Sequence, residues 1–313
     1  MNLLFTTFGS VAVLLGIGTL GFWIIRRRIL AEQALGSLSP LALDIAMPCL
    51  IFVNMVTNFS PKETPDWWVM TFAWVGFASV AALLTFSTMY VANKNVRREF
   101  AISLFYQNGI FFPLAVLNGM FPQDPSYLVY LFLFMLFYPA FFFNTYHFFF
   151  PSKHARLDWQ KICNPVLIAS LVAISIRLLN VQMHIPDFLI SICRLLGNMT
   201  IPVIMIILGG SVYLDLQQRG SVRLGEIVKF VFVKNFVFPI IFLLILSIVR
   251  PNYSLALIVF LESAVPPVSA VPILAERAGG NRSIVNQFVV SSIITSLISI
   301  PLMVMLFSKF FAP

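Results

Sequence analysis

The chain has 313 residues, of which 59% are hydrophobic and only 10% are charged, and its mean hydropathy is +0.93. A soluble domain carries roughly a quarter charged residues, so this composition excludes an ordinary water-soluble protein. The net charge of +8 does not indicate nucleic-acid binding, because the basic residues lie in short loops between long apolar stretches. We therefore expect an integral membrane protein that contacts lipid.

Ten apolar segments follow one another along the chain without an intervening soluble domain. Each is long enough to cross a hydrocarbon core about 30 Å thick. The apolar runs are continuous and do not alternate with a period of two, which predicts helices rather than β-strands. The predicted spans are residues 4–25, 38–57, 67–91, 100–120, 126–149, 163–180, 196–216, 227–249, 253–275 and 286–307.

The basic residues are distributed unequally between the two sides of this predicted bundle. The loops after odd-numbered spans contain fourteen of the 20 Lys and Arg residues: Arg26, Arg27, Arg28, Lys94, Arg97, Arg98, Lys153, Arg156, Lys161, Arg219, Arg223, Lys229, Arg277 and Arg282. The loops on the opposite side contain Lys62, Arg177, Arg194, Arg250 and Lys309. By the positive-inside rule the first set is cytoplasmic, so we expect a bacterial inner-membrane protein with both termini outside the cytoplasm.

Two pairs of prolines indicate an internal repeat. Pro48 and Pro113 are 65 positions apart, as are Pro202 and Pro267, and a shift of 154 positions relates the two pairs. The same shift maps the first five spans onto the last five, which divides the chain into repeats at 1–150 and 151–313. Because each repeat has an odd number of helices, the second must be inverted in the membrane. Inverted repeats are typical of secondary transporters.

The fourth and ninth spans contain residues that disfavour a continuous helix. The fourth has Gly109 and Pro113 in its middle, and the ninth has Pro266, Pro267 and Pro272. Proline lacks an N–H donor and clashes with the preceding turn. The two spans are therefore either kinked or discontinuous, and we predict breaks at 108–113 and 262–269 that lie against each other in the middle of the membrane. Interrupted helices at matching positions are the best indication of a binding site in sequence.

The predicted breaks supply the candidate site residues. The second half-helices would direct their N-terminal ends, which carry about half a positive charge, toward the membrane centre, where they favour a carboxylate. The candidate substrate-binding residues are Asn108, Gly109, Pro113, Pro266, Pro267 and Ser269. The 154-residue shift maps Asn108 onto Glu262. A carboxyl group at this depth is costly, so Glu262 is either a structural hydrogen-bond partner or a group that couples transport to a proton or cation.

Two further ionisable residues lie within predicted spans. Asp44, four residues before Pro48, is a second candidate for ion or proton coupling, or else an interfacial group with a polar partner. Lys234 lies about eight residues into the eighth span, roughly 12 Å deep at 1.5 Å per residue. Three positions of its ammonium are possible: it reaches the cytoplasmic interface, it pairs with an acidic group, or it contacts an anionic substrate.

Three motifs resemble the auxin efflux carrier family, which includes plant exporters and bacterial malonate carriers. They are PPVSAVPILAERAGG at 266–280, LGGSVYL at 208–214 and ALDIAMPCLIF at 42–52. The resemblance covers nearly the whole chain and implies a scaffold domain and a transport domain whose fourth and ninth helices are broken and cross. The family's fourth-span asparagine, seven residues before the proline, is replaced here by Tyr106, and Asn108 follows two residues later.

These observations predict an all-α membrane protein of ten helices that moves a small organic carboxylate by alternating access. A cation-coupled symporter similar to bile-acid carriers and a transporter-like sensor are the alternatives. No HExxH, Walker, GxSxG or Cys/His metal pattern is present in the sequence, so we expect neither an enzyme nor a metal site. We expect no cofactor beyond H⁺ or Na⁺, and the architecture is compatible with a homodimer.

Overall fold

A computed structural model describes residues 3–150, 163–217 and 222–311. These ranges form α-helices joined by short turns and contain no β-strand. The helices are α1 Leu3–Arg26, α2 Gln33–Pro40, α3 Met47–Asn58, α4 Trp67–Thr88, α5 Arg97–Phe105, α6 Phe111–Met120, α7 Ser126–Phe134, α8 Tyr138–Thr145, α9 Pro165–Leu178, α10 Asp187–Asn198, α11 Thr200–Gln217, α12 Leu224–Phe232, α13 Phe238–Val249, α14 Tyr253–Ala264, α15 Val271–Arg277 and α16 Arg282–Phe307.

Seven helical segments in the described ranges are long and apolar enough to cross a membrane. They are Phe5–Arg26, Gln33–Asn58, Trp67–Val91, Ser126–Phe149, Asp187–Leu214, Leu224–Val249 and Arg282–Phe307. Three shorter apolar helices, α6, α9 and α14, fall within the predicted fourth, sixth and ninth spans. The expected class, an all-helical integral membrane protein, is confirmed, whereas the number of ten spans stays a prediction. Four of the basic residues that were assigned to the cytoplasmic side, Lys153, Arg156, Lys161 and Arg219, lie outside the described residues.

Close backbone contact joins α1 to α11. A Cβ atom added to Gly209 would overlap the backbone of Gly18, and one added to Gly21 would overlap the backbone of Ile206. Small residues allow such approaches between helices in lipid, where van der Waals packing replaces the hydrophobic effect as the attraction between them. The segment LGGSVYL therefore fixes α11 against α1.

Two π-helical turns interrupt long helical segments. Leu41–Ala46 joins α2 to α3 and carries Asp44, whereas Val233–Val237 joins α12 to α13 and carries Lys234. A π-helical turn widens the helix by one residue and occurs frequently at functional sites. Asp44 and Lys234 thus lie on irregular turns rather than on regular helix.

Candidate functional site

Two helix interruptions form the centre of the candidate site. Helix α5 ends at Phe105 and α6 begins at Phe111, while α14 ends at Ala264 and α15 begins at Val271. Each second half-helix has a proline in its first turn, Pro113 in α6 and Pro272 in α15. Proline is tolerated there because the first N–H groups of a helix have no intrahelical acceptor. The expected interruptions are present, at 106–110 and 265–270.

The two interruptions hydrogen-bond to each other. The Asn108 N–H donates to the Pro266 carbonyl at 2.8 Å, and the Val268 N–H donates to the Tyr106 carbonyl at 3.0 Å. The Tyr138 hydroxyl donates to the Gln107 carbonyl at 2.6 Å. Non-helical backbone at membrane depth is stable only when protein groups satisfy it. These three bonds supply partners for the segment 106–108 and hold the interruptions together.

The equivalence between the interruptions differs from the predicted one. The ends of α5 and α14 are 159 residues apart, and the starts of α6 and α15 are 160 apart. Pro113 therefore corresponds to Pro272 rather than to Pro267, and the prediction that Glu262 corresponds to Asn108 is wrong. Glu262 lies in the last turn of α14, where the equivalent residue of α5 is Ser103. The predicted shift of 154 residues therefore does not match the helix bounds in this segment.

A cavity of about 420 Å³ adjoins the crossing of the interruptions. It lies between the crossing and α8 on one side and α2, its π-helical turn and α11 on the other. Its wall is predominantly apolar, with polar side chains at a few positions. These polar residues are Ser39, Asp44, Gln107, Asn108, Tyr138, Asn164, Ser211 and Ser269.

The predicted site residues divide into two groups. Asn108, Gly109, Ser269 and Asp44 line the cavity. Pro113, Pro266, Pro267 and Glu262 do not. Pro113 lies in the first turn of α6. Pro266 and Pro267 make the contact between the interruptions, through the Pro266 carbonyl and the pairing of Pro267 with Gln107. Substrate binding by any of these residues stays a prediction.

The chain matches the profile of the membrane transport protein family over residues 6–161 and 155–304. The chain belongs to this family. It is auxin efflux carrier-like, so the resemblance drawn from the three motifs is confirmed. A comparison with curated proteins gives no significant match. The membrane transport protein family comprises transporters rather than enzymes, which agrees with the expectation from the sequence motifs.

In this membrane transport protein, Glu262 lies directly behind the cavity wall. The residue is 0% exposed, and neither carboxylate oxygen has a hydrogen-bond partner among the described residues. A Cβ atom on Gly109 would overlap Glu262 Oε2. The absence of a side chain at Gly109 therefore makes room for the carboxylate, which is separated from the cavity by one residue of backbone.

Lys234 approaches the same place from the π-helical turn of the eighth predicted span. Its side chain is 1% exposed, and its ammonium donates to the Ser263 carbonyl at 3.4 Å. Lys234 and Glu262 also interact electrostatically. The alternative in which Lys234 reaches the cytoplasmic interface is therefore wrong, because its ammonium points into the protein.

Several polar residues of the cavity were not among the sequence candidates. Tyr138 and Gln107 hold the first interruption, and Asn164 accepts the Leu167 N–H at the start of α9 at 2.9 Å. Ser211 follows Gly210 in the LGGSVYL motif, which was the available indication of its importance. Tyr138 gave no signal in sequence because it lies within an aromatic stretch that is typical of lipid-facing or packing residues.

Proposed function

We propose that this protein is a secondary transporter that binds a small organic carboxylate in the cavity at the helix crossing. The first turn of α6 carries the proposal. Gly109, Ile110 and Phe111 line the cavity, and their N–H groups donate no hydrogen bond to any described residue. Free N–H groups and the positive end of a ten-residue helix attract an anion. A substrate carboxylate placed there would receive charge-assisted hydrogen bonds.

The size and lining of the cavity support a small organic substrate. A volume of about 420 Å³ lies within the usual range for small-molecule sites, about 300–1,000 Å³. Leu43, Met47, Phe142 and Ile207 contribute apolar surface to its wall. This combination suits a carboxylate with a hydrocarbon or aromatic body, such as a dicarboxylic acid or an indole acid.

The packing between the two halves supports transport by alternating access of inverted repeats, 1–150 and 151–313. Helix α1 packs on α11, and α9 packs on α3. In each case the first helical segment of one half contacts the second segment of the other half. Such reciprocal pairing is expected when two inverted repeats are related by a pseudo-two-fold axis. The fourth and ninth spans would then be the equivalent, crossing elements of a ten-span bundle.

Asp44 supports coupling to protons. It is the only Asp, Glu, Lys or Arg side chain among the described residues of the cavity wall, and it is exposed. An ionised Asp44 repels a carboxylate in the same cavity, whereas a protonated Asp44 does not. Anion binding and proton binding therefore favour each other, because a ligand shifts an equilibrium toward the state that it binds better. This linkage would make the protein a proton–anion symporter.

We expect uptake of a carboxylate into proteoliposomes to rise several-fold when the external solution, which supplies the anion, is made more acidic than the lumen. Asp44→Asn should bind the same carboxylate at least as tightly at neutral pH, since the repulsion is removed, but should lose the accumulation driven by the pH gradient. Radiolabelled malonate, malate and indole acetate, with and without an imposed pH or sodium gradient, are suitable probes. Binding is measured separately by thermal shift across pH.

Asp66→Asn is the matched control, because Asp66 is an exposed acidic residue outside the cavity. It should retain the pH dependence of the parent protein. If Asp44→Asn accumulates the anion in response to the pH gradient as the parent does, proton coupling through Asp44 is refuted. If none of the carboxylates binds or is taken up by the parent protein, the proposed substrate class is refuted.

The distribution of basic residues supports a bacterial-type inner membrane with both termini outside. In a chain whose Cys49, Cys163 and Cys193 are replaced by serine, Lys94→Cys should react with an impermeant maleimide only from the cytoplasmic side. Asp124→Cys should react only from outside. Both positions are exposed. The reverse pattern would contradict this topology.

The same topology indicates the side of the membrane toward which the cavity opens in the described conformation. Leu35 and Gly36 line the cavity just after the basic loop that contains Arg26, and Asn164 lines it just after residues 151–162. The cavity therefore extends toward the side of the basic loops. We infer that this conformation faces the cytoplasm.

A further inference from the structure

The last turn of α14 brings two negative features together. The helix ends at Ala264, so the final carbonyl groups lack helical N–H partners. Glu262 adds a fully buried carboxylate that accepts no hydrogen bond from a described residue. A helix C-terminus carries about half a negative charge, and an uncompensated buried carboxylate is strongly destabilising. This turn therefore requires a cation or a proton.

The amino group of Lys234 lies at this turn. Its ammonium lies 3.4 Å from the Ser263 carbonyl oxygen, next to Glu262 in sequence, and 5.1 Å from the centroid of the Phe238 ring. Both contacts stabilise an ammonium ion, the first as an acceptor and the second through the negative face of the ring. The ammonium and the carboxylate make no hydrogen bond with each other. An ammonium ion at this position therefore stabilises the carbonyl groups at the end of the helix as well as the carboxylate.

The backbone around Lys234 is anchored so that this side chain stays inside. The neighbouring Asn235 amide donates to the Ser292 carbonyl and to Ser299 Oγ, both at 3.1 Å, and accepts from Ser292 Oγ at 2.7 Å. These bonds fix the π-helical turn against α16. With the turn held in this orientation, Lys234 is directed toward α14.

We propose that Lys234 is a tethered counter-cation that occupies the place of a free monovalent cation at the end of α14. The turn has the ligands of a cation site, namely a carboxylate and helix-end carbonyl groups, and the lysine ammonium already fills it. Sodium is therefore not required at Glu262, and the neutralised carboxylate does not oppose an anion in the adjacent cavity. Among the described residues, Tyr138 also interacts electrostatically with Glu262.

The test measures thermal stability in detergent and needs no substrate, so its outcome is independent of the proposed transport function. Lys234→Met removes the ammonium and keeps the apolar stem. In N-methylglucamine chloride its melting temperature should fall by roughly 5–10 °C, because removing one partner leaves a buried charge uncompensated. Replacing that salt with NaCl or KCl at equal ionic strength should restore part of the loss, whereas the parent protein should not respond.

A double variant, Glu262→Gln with Lys234→Met, decides the case even if the single variant folds poorly. It removes both charges and should melt close to the parent and show no response to Na⁺ or K⁺. Lys229→Met is the matched lysine control. Lys229 lies in the same helical segment but is partly exposed and pairs with Glu226 at 2.8 Å, so its loss should change the melting temperature little.

Three results would overturn the proposal. The first is a Lys234→Met variant that melts with the parent, and the second is a double variant as unstable as the single one. The third is a single variant that is stabilised by acid but not by Na⁺ or K⁺, which would show that Glu262 takes a proton instead of a cation.

Discussion

Gly209→Ala is expected to prevent most of the protein from folding. The added Cβ atom would overlap the backbone of Gly18 in α1, and backbone cannot move aside as a flexible side-chain end can. Overpacking typically costs about 1–3 kcal/mol and more where the backbone must shift, so the loss should be about 3 kcal/mol or more. We expect a low yield of monodisperse protein by fluorescence-detected size-exclusion chromatography and a lower melting temperature.

Gly16→Ala is the control for this variant. Gly16 also lies in α1, but a Cβ atom there meets nothing within 4 Å. This variant should fold like the parent. Equal yields and melting temperatures for the two variants would show that the tight contact between α1 and α11 does not determine stability.

Gly109→Ala is expected to fold but to lose most of its transport activity. The new Cβ atom would overlap Glu262 Oε2 and the terminal methyl group of Met135. These are ends of side chains, so the structure can accommodate it by displacing the carboxylate or the turn before α6. Either movement changes the N–H groups that we propose for the substrate carboxylate. A cost of about 1–3 kcal/mol corresponds to a fall of roughly 5- to 150-fold in anion affinity or uptake.

Gly36→Ala provides the comparison for the cavity. Gly36 lines the cavity opposite the interruptions and has open space at its Cβ position. Its uptake should be near that of the parent. If Gly109→Ala transports normally while its melting temperature is unchanged, the close packing of Gly109 on Glu262 has no role in the site.

The helix interruptions could be predicted from sequence because their cause is local. Pro113, Pro266 and Pro272 each remove a backbone donor, and Gly109 weakens helix formation nearby. The correspondence between the halves could not be predicted from the prolines alone. Pro267 is 154 residues after Pro113, as the predicted repeat requires, but the proline in the first turn of the second half-helix is Pro272. The observed offset is five residues larger than the predicted one. Glu262 therefore lies in the last turn of α14 and not at the predicted position in the crossing.

The orientation of Lys234 depends on packing and was not decided by sequence. A lysine about 12 Å below the interface has a stem long enough to reach water, so depth alone left three alternatives. The deciding contacts come from Ser263 in α14 and, through Asn235, from Ser292 and Ser299 in α16. All three serines are distant in sequence. Similarly, Asp44 and Asn108 line the same cavity because α2, its π-helical turn and α11 face the crossing, a tertiary arrangement that the residue pattern does not contain.

The hydrogen bonds at the crossing determine when the site can form during biosynthesis. They join Asn108 to Pro266 and Tyr106 to Val268, residues 158 and 162 positions apart. Until α14 has left the ribosome and entered the membrane, the polar backbone of the first interruption has no partner from the second. After the first half of the protein has been inserted, lipid headgroups, water or the insertion machinery must therefore satisfy the polar backbone groups of the first interruption. The crossing is therefore completed in a late step, when the last fifth of the chain arrives.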